Sequence, residues 1–313
     1  MNTIKFFYKV LFGFYFFFML YGCASTLPQS DPSLTRLTDT GEARAAYGWF
    51  FVENHPQKEK YQVLLLPGLF CTDVIFTDML NDPIMENAGI HLVAADPPGF
   101  KGLSLGDDFE ISIKNYAILL EELIQKENYD LIVGHSFFAN VAIEIGARNN
   151  YAGKLMLLSP SLYSGAEPFD VRLLDSMTRV PRVGYVSMKI TYQMLDTIFE
   201  PYFAQENQGK VNLFVKEAKK THQDITQKQL NAFFDHIQTY ENLTDRLLTA
   251  DNQIFYVIGT KDNIEFSDVD RKKMSRNKNI TIKDIENGKH FLMVDYPKTI
   301  NTLIAEFLEV TEE

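Results

Sequence analysis

Apolar and polar residues follow two different periods along this chain. Short runs of consecutive apolar residues are typical of buried strands, and an apolar residue at every third or fourth position is typical of amphipathic helices. Apolar strands that alternate with helices indicate a mostly parallel central sheet with helices on both faces, so the pattern predicts an α/β fold. Predicted strands cover 47–53, 63–66, 91–95, 131–133, 154–158, 253–258 and 280–285, and predicted helices cover 77–86, 111–126, 137–147 and 297–308.

The alternation breaks between residues 161 and 250. This interval contains helical patterns rich in large apolar side chains such as Tyr202 and Phe203. We interpret residues 161–250 as a helical cap inserted between two parts of an α/β core, residues 45–160 and 251–313. Ordinary packing of the cap on the core explains most of these side chains, and the remainder are candidates to line an apolar pocket.

The N-terminus has the pattern of an export signal. Lys5 and Lys9 precede an apolar run at 10–20. This run has the length of a signal-peptide core and is shorter than a membrane span, which needs about 20 residues. A plain secretory signal and an uncleaved anchor are both consistent with this pattern.

The residues that follow resemble a bacterial lipobox, Leu20-Tyr21-Gly22-Cys23, in which Cys23 becomes the lipidated first residue. We therefore predict a signal peptide at 1–22, and a lipidated Cys23 with a flexible tether at 23–44. The predicted product is an exported lipoprotein of the cell envelope. Ala24 after the cysteine resembles the pattern of lipoproteins in the outer membrane that face the periplasm.

The net charge and the cysteine content limit which partners and which covalent links are expected for this chain. The net charge is −11 over 313 residues, and an acidic surface argues against nucleic acid as a partner. The second cysteine, Cys71, has no disulfide partner if Cys23 is lipidated, and we expect it to be a small buried residue. No grouping of cysteine and histidine has zinc-ligand spacing, so the sequence predicts neither a metal site nor a cofactor. It carries no signal for an oligomeric state.

The run from 130 to 138 carries the candidate chemistry. A predicted strand enters Gly134-His135-Ser136, and a predicted helix follows at once. A strained turn between strand and helix is how an active serine is exposed at the top of a sheet. The usual Gly-x-Ser-x-Gly pattern would place glycine at 138, where Phe138 stands. A serine that caps a helix is the alternative, and the partners of Ser136 must decide between the two.

A nucleophilic serine needs a base, and the base needs an acid that orients it. Asp262 and His290 follow the last two predicted strands, which gives the chain order serine, acid, histidine. Asp251 lies before its strand and Asp268 lies past the loop, so both are weaker candidates. His135 adjoins the serine, but we expect its side chain to point away from the site and to pack.

The chain resembles α/β-hydrolase fold proteins over about residues 45–312. Gly259-x-x-Asp262 resembles the acid loop of that family, and Gly288-x-His290-Phe291 resembles its histidine loop. The segment Leu66-Pro67-Gly68-Leu69 occupies the place of the oxyanion segment, with Pro67 instead of histidine. Residues 96–104 resemble the family's Asp-x-Pro-Gly-x-Gly-x-Ser loop, with one extra residue.

The resemblance implies a serine hydrolase. Ser136 would attack an acyl carbon, His290 would act as general base, and Asp262 would orient the imidazole. The backbone N–H groups of Leu69 and Phe137 would form the oxyanion hole. The expected substrate is a small carboxylic ester with an apolar group, or a thioester or lactone.

Two further points follow from the resemblance. A serine nucleophile argues against the dehalogenases and epoxide hydrolases of this fold, which use aspartate. The alternative function is a non-catalytic binding or scaffold lipoprotein on the same fold, because fold does not fix function. Phe138 and Pro67 support that alternative, since a bulky residue at the elbow would tilt it.

Overall fold

The computed structural model describes residues 42–100, 103, 105, 109–163, 166, 172, 176, 179, 195–221, 232 and 242–310. The predicted signal peptide, Cys23 and nearly all of the predicted tether lie outside these residues. Much of the predicted cap, residues 161–250, also lies outside them. Within the described part of the chain, no helix is long and apolar enough to cross a membrane.

An eight-stranded sheet organises the described residues, with the spatial order β1-β2-β4-β3-β5-β6-β7-β8. The β1–β2 and β2–β4 pairs are antiparallel and all other neighbours are parallel. The predicted α/β fold with a mostly parallel sheet is therefore confirmed. The strands are β1 (Glu42–Ala46), β2 (Trp49–Glu53), β3 (Tyr61–Leu66), β4 (Ile90–Asp96), β5 (Leu131–His135), β6 (Lys154–Leu158), β7 (Ile254–Gly259) and β8 (Ile280–Ile285).

Helices fill the connections between the strands. The α-helices are α1 (Thr77–Leu80), α2 (Pro83–Ala88), α3 (Ile113–Ile124), α4 (Phe137–Ala147), α5 (Leu195–Phe199), α6 (Gln208–Thr221), α7 (Leu243–Leu247), α8 (Asp268–Met274), α9 (Leu292–Asp295) and α10 (Pro297–Phe307). Short 3₁₀ helices cover Asp73–Phe76, Glu200–Tyr202 and Gln205–Asn207. Helices α5, α6 and α7 fall inside the predicted cap, whose assignment as one inserted unit stays a prediction.

Local chemistry explains where two of these helices begin. Ser112 caps α3, because its hydroxyl accepts a hydrogen bond from the Asn115 N–H at 2.9 Å. The single helix predicted at 77–86 is wrong, since the structure has α1 and α2 there. The Asp82 side chain accepts from the Ile84 N–H at 3.1 Å, and Pro83 opens α2 without an N–H of its own. The cap and the proline together start a new helix.

The N-terminal edge of the sheet differs from the prediction. Tyr47 and Gly48 both have positive φ, 57° and 80°, and form a two-residue turn between β1 and β2. Such turns match the twist of an antiparallel hairpin. The strand predicted at 47–53 therefore begins later, and residues 42–44, which were predicted as part of the tether, belong to β1. Apolar periodicity could not show β1, whose residues are mostly alanine and charged.

The central strands form the bottom of the site and are fully buried. Leu64, Ile132, Leu157 and Tyr256, on four successive strands of the sheet, each have 0% of their surface exposed. Helix α4 packs on β5 and β6 as well as on α3. This packing holds α4 in place behind Ser136, which connects the carboxyl end of β5 to the start of that helix.

Candidate active site

The loops that leave the carboxyl edge of the sheet carry the predicted site residues. These loops follow β3, β5, β7 and β8. The register pairs Leu66 with Gly134 and Gly259 with Ile285, so the neighbouring strands end at the same level. Parallel sheets bind their ligands at this edge.

Ser136 occupies a strained turn between β5 and α4. Its backbone has φ 51° and ψ −115°, a region that residues with a side chain rarely adopt. The Ser136 N–H donates to the Leu158 carbonyl at 2.9 Å, and its own carbonyl accepts from the Ala139 N–H at 3.0 Å. Strain of this kind costs about 1–3 kcal/mol and is concentrated at functional sites. It is also the geometry expected of an exposed nucleophilic serine.

Two glycines allow the close contacts around this turn. A Cβ atom on Gly134 would lie 2.5 Å from the Phe138 carbonyl oxygen, closer than van der Waals contact permits. A Cβ atom on Gly68 would lie 2.7 Å from Nδ1 of His135 and 3.1 Å from Cβ of Ser136. The first glycine lets α4 approach β5, and the second lets the segment after β3 approach the serine.

Phe138 fits this turn without distorting it. Its side chain is 0% exposed, and the crowded backbone positions of this turn are Gly134 and Gly68. The ring makes edge-to-face contacts with Tyr116 at 5.3 Å and with Phe100 at 5.7 Å between centroids. Such aromatic pairs add about 0.5–1.5 kcal/mol to the free energy of burial. Phe138 therefore gives no support to a tilted elbow, and the serine keeps its strained geometry beside it.

Asp262 and His290 meet at the carboxyl edge. Nδ1 of His290 lies 3.1 Å and 3.2 Å from the two carboxylate oxygens of Asp262. The side chains are nearly enclosed, with 8% of His290 and 1% of Asp262 exposed. A carboxylate accepts hydrogen bonds, so Nδ1 carries the proton and Nε2 keeps its lone pair. The rival acids Asp251 and Asp268 are exposed, and neither contacts His290 in the described part of the chain.

The loops that carry the acid and the base are joined by their backbones. A Cβ atom on Gly259 would lie 2.2 Å from the Gly288 carbonyl oxygen, so only glycine fits there. The Lys261 N–H donates to that same carbonyl at 2.8 Å. The Asn287 N–H donates to Oγ1 of Thr260 at 2.9 Å. These contacts explain why a glycine precedes both Asp262 and His290.

His135 corrects one expectation, because its side chain does not point away from the site. The His135 ring lies 4.7 Å from the His290 ring between centroids, and its Nε2 is 3.1 Å from the His290 carbonyl oxygen. Burial lowers the pKa of His135 well below its ordinary value, and nearby His290 lowers it further. The ring is therefore neutral and donates its Nε2–H to that carbonyl. His135 is a positioning residue that supports the loop of His290 from below.

Sequence reasoning missed this contact because nothing in the strand pattern shows where a loop that follows β8 will cross β5. The presence of a second histidine directly before the serine is the one signal that the sequence offers.

The predicted oxyanion segment forms a tight turn after β3. The Cys71 N–H donates to the Gly68 carbonyl at 3.0 Å, and Phe70 between them has φ 62°. Among the described residues, the Leu69 N–H has no backbone acceptor. Cys71 is buried as expected, and burial raises the pKa of its thiol well above the ordinary value. The thiol is thus an unreactive neighbour of this turn.

Aromatic residues from the interval of the predicted cap pack against the histidine loop. The Tyr202 ring lies 5.7 Å from the His290 ring between centroids. Phe203 is 0% exposed and stacks on Phe291 at 4.2 Å. Nζ of Lys289 donates to the Phe203 carbonyl at 2.7 Å. The base is therefore bordered by an apolar wall. It comes from the interval whose large apolar residues were predicted mostly to pack on the core and in part to line an apolar pocket.

The structure brings four predicted elements together, namely the strained serine, the acid–histidine pair, the oxyanion segment and the N-terminus of α4. Ser136 makes no hydrogen bond to His290 among the described side chains. Such bonds are often long in proteins without substrate and tighten when substrate binds. The arrangement is suited to nucleophilic attack on a carbonyl carbon with proton transfer through the imidazole.

The described residues contain one group of three side chains with metal-ligand chemistry, Glu53, His55 and His91. Glu53 ends β2 and His91 lies at the start of β4. Because β2 and β4 are antiparallel, this group lies at the amino edge of the parallel strands, opposite to Ser136. It has no part in the site at the carboxyl edge.

A sequence profile described as the alpha/beta hydrolase family matches residues 63–303. This range contains Ser136, Asp262, His290 and the oxyanion segment. None of the curated protein sequences compared with this chain matches it significantly.

Solved structures with several activities share the fold. A bromoperoxidase from Bacillus anthracis is similar with a TM-score of 0.65 and 15% identity, over 83% of this chain and 95% of its own. A thermophilic esterase from Thermogutta terrifontis has a TM-score of 0.63 and 15% identity, over 83% and 93%. A haloalkane dehalogenase from Agrobacterium tumefaciens has a TM-score of 0.63 and 17% identity, over 87% and 97%. At such identities the likeness establishes the fold only, and the reaction has to be inferred from the residues of the site.

Proposed function

The chain belongs to the alpha/beta hydrolase family, and we propose that it is a serine hydrolase that cleaves a carboxylic ester with an apolar group. The observation that carries the proposal is a strained serine at the end of β5 together with a buried acid–histidine pair, whose histidine contacts the residue before the serine. Ser136 has φ 51°, and the Asp262–His290 contact is 3.1 Å. Among the solved structures with this fold are a thermophilic esterase and a monoacylglycerol lipase.

The proposed reaction has two halves. Oγ of Ser136 attacks the carbonyl carbon and transfers its proton to Nε2 of His290, while Asp262 holds Nδ1–H and stabilises the imidazolium. The backbone N–H groups of Leu69 and Phe137 stabilise the oxyanion. When the tetrahedral intermediate collapses, the C–O bond to the alcohol breaks and His290 returns its proton to the departing alcohol. Water then repeats the sequence on the acyl-enzyme and releases the acid.

The surroundings of the base support an apolar substrate group. Tyr202 and Phe203 come from the predicted cap, residues 161–250, and border the loop of His290. Apolar walls of this kind bind ligands through buried area and leave orientation to a few polar groups. Thioesters and lactones also present a carbonyl carbon to the serine. They should therefore be assayed as substrates alongside the esters.

Labelling with a fluorophosphonate tests the proposal directly. The reagent forms a P–O bond to an activated serine and releases fluoride, so we expect one label on the peptide that contains Ser136. Peptide mass spectrometry identifies the labelled residue, and heat-unfolded protein serves as the unlabelled control. We expect p-nitrophenyl esters to be hydrolysed with a preference for longer acyl chains. A folded protein that neither takes up label nor hydrolyses any ester would favour the non-catalytic binding function.

We further propose that the protein is exported and anchored at the cell envelope, with a signal peptide at 1–22 and a lipidated Cys23. Several acyl chains on one cysteine would give stable anchoring, because about two lipid signals are needed. Mass spectrometry of the mature N-terminus should find an acylated Cys23 as the first residue. Cleavage at another position, or an unmodified Cys23, would contradict the proposal. We expect Cys23→Ala to remove the protein from the membrane fraction.

A further inference from the structure

The register of two antiparallel strands brings Glu53, His55 and His91 together. Strand β2 pairs Glu53 with Val93, and the Asn54 N–H extends the ladder by donating to the Leu92 carbonyl at 3.2 Å. The next step along the ladder places His55 opposite His91. Residues two apart on a strand point to the same face, and so do residues directly opposite each other. All three side chains therefore lie on one face.

The donor atoms of these side chains are at distances that suit one metal ion. Nε2 of His91 lies 3.1 Å from Oε2 of Glu53, and the rings of His55 and His91 are 5.2 Å apart between centroids. One ligand atom from each residue lies within 4.8 Å of the other two. Zinc binds such atoms at about 2.0–2.2 Å, which places neighbouring ligands about 3–4 Å apart. Small rotations of the exposed His55 would complete the set.

Neighbouring groups orient two of the ligands. The Arg44 guanidinium binds Oε1 of Glu53, which leaves Oε2 facing His91. Arg44 is itself held by both carboxylate oxygens of Glu127, at 2.8 Å and 2.7 Å. On the far side of the His91 ring, the Glu59 carboxylate lies 3.2 Å from Nδ1, without the alignment of a hydrogen bond. With a metal on Nε2 the proton of His91 would be on Nδ1 and face this carboxylate, which is the usual support of a metal-binding imidazole.

Charge also favours a divalent cation at this place. The carboxylates of Glu53, Glu59 and Glu127 face the single guanidinium of Arg44, so these four side chains carry two net negative charges. Glu53 and His91 are buried, at 5% and 7% exposure. Nε2 of His91 lies 3.1 Å from Oε2 of Glu53, and a metal ion bound to both atoms would replace the proton that this contact otherwise shares.

We propose that Glu53, His55 and His91 form a zinc-binding site at the amino edge of the sheet, with water completing the coordination on the exposed side of His55. The site would fasten the end of β2 and the connection after it to β4. It lies at the opposite edge from Ser136 and is independent of the proposed hydrolysis. Zinc suits two imidazoles and one carboxylate, a ligand set that it uses in other proteins. Sequence spacing could not reveal the site, because its ligands come from two separate strands.

Titration of the purified full-length protein with Zn²⁺, after removal of metals with a chelator, tests this proposal. Isothermal calorimetry should give one Zn²⁺ per chain, and Co²⁺ should give the visible absorption bands of a low-coordinate site. We expect His55→Ala to weaken Zn²⁺ binding at least about 10- to 100-fold, and Glu59→Gln to weaken it about 10-fold. His55 is exposed, so its variant keeps the fold even if a variant at buried His91 does not.

The matched control is His290→Ala, which removes the other histidine that contacts a carboxylate in the described part of the chain. We expect this variant to bind Zn²⁺ with unchanged affinity. Binding that is lost in His290→Ala and retained in His55→Ala would overturn the proposal, because the metal would then sit at the carboxyl edge. Absence of stoichiometric binding in the folded wild-type protein would also overturn it.

Discussion

Replacing Ser136 with alanine is expected to lower kcat for ester hydrolysis by about 10⁴- to 10⁶-fold while the protein stays folded. The substitution removes the oxygen that we propose forms the acyl-enzyme, and His290 and Asp262 would then have no nucleophile to activate. The hydroxyl makes no hydrogen bond to a described side chain, so its removal breaks no described contact that holds the fold. The measurement is kcat and KM on the best p-nitrophenyl ester, with circular dichroism as the test of folding.

Ser275→Ala is the matched control for this variant. Ser275 is an exposed serine just after α8 whose hydroxyl donates to the Lys272 carbonyl at 3.1 Å. Its replacement should leave kcat unchanged. If the Ser136 variant keeps more than about one hundredth of the wild-type rate, the nucleophile has been assigned wrongly, since such a residual rate is far above that of other enzymes without their nucleophile.

Replacing Asp262 with asparagine is expected to lower kcat by about 10⁴-fold and to change KM much less. The carboxylate accepts the Nδ1–H of His290 at 3.1 Å and so fixes the tautomer with a free Nε2. An amide in the same place can donate to Nδ1 instead, which moves the proton to Nε2 and leaves the serine without a base. It also removes the negative charge that stabilises the imidazolium. The geometry should survive, because asparagine has the same shape.

Asp268→Asn serves as the control for the acid. Asp268 lies six positions further along the chain, is exposed and opens α8. We expect this variant to keep wild-type kcat and kcat/KM. Equal losses in the two variants would mean that a general loss of negative charge matters, and that the contact between Asp262 and His290 does not.

The sequence could predict much of this fold because its strands are apolar throughout. Strands β6 and β8 and helix α4 begin and end at the predicted residues. The elements that could not be predicted are those that do not depend on a repeating pattern of apolar residues. Strand β1 has little apolar content, and the break between α1 and α2 depends on one cap and one proline.

The candidate site was predictable to a different degree. Ser136, Asp262 and His290 could be proposed from chain order, because each follows a strand of a parallel sheet and such ends share one edge. Contacts that depend on how loops cross that edge could not be proposed from the sequence. The ring of His135 under His290 is one such contact, and the wall formed by Tyr202 and Phe203 is another.

Phe138 shows the limit of a motif more clearly. The usual glycine two residues after the serine led to the expectation that a large side chain would crowd the elbow. In the structure the crowded positions are Gly134 and Gly68, and the side chain at 138 has room beside Tyr116. A motif records which residue is common at a position, and only the packing shows which atoms that position must avoid.

The backbone contact between Gly259 and Gly288 has a mechanical consequence. Two loops that touch through carbonyl and amide groups cannot be displaced separately without breaking the Lys261 hydrogen bond at 2.8 Å. Asp262 and His290 therefore lie on two loops that move as one unit. Any displacement of one loop would therefore move the imidazole and the carboxylate that orients it together.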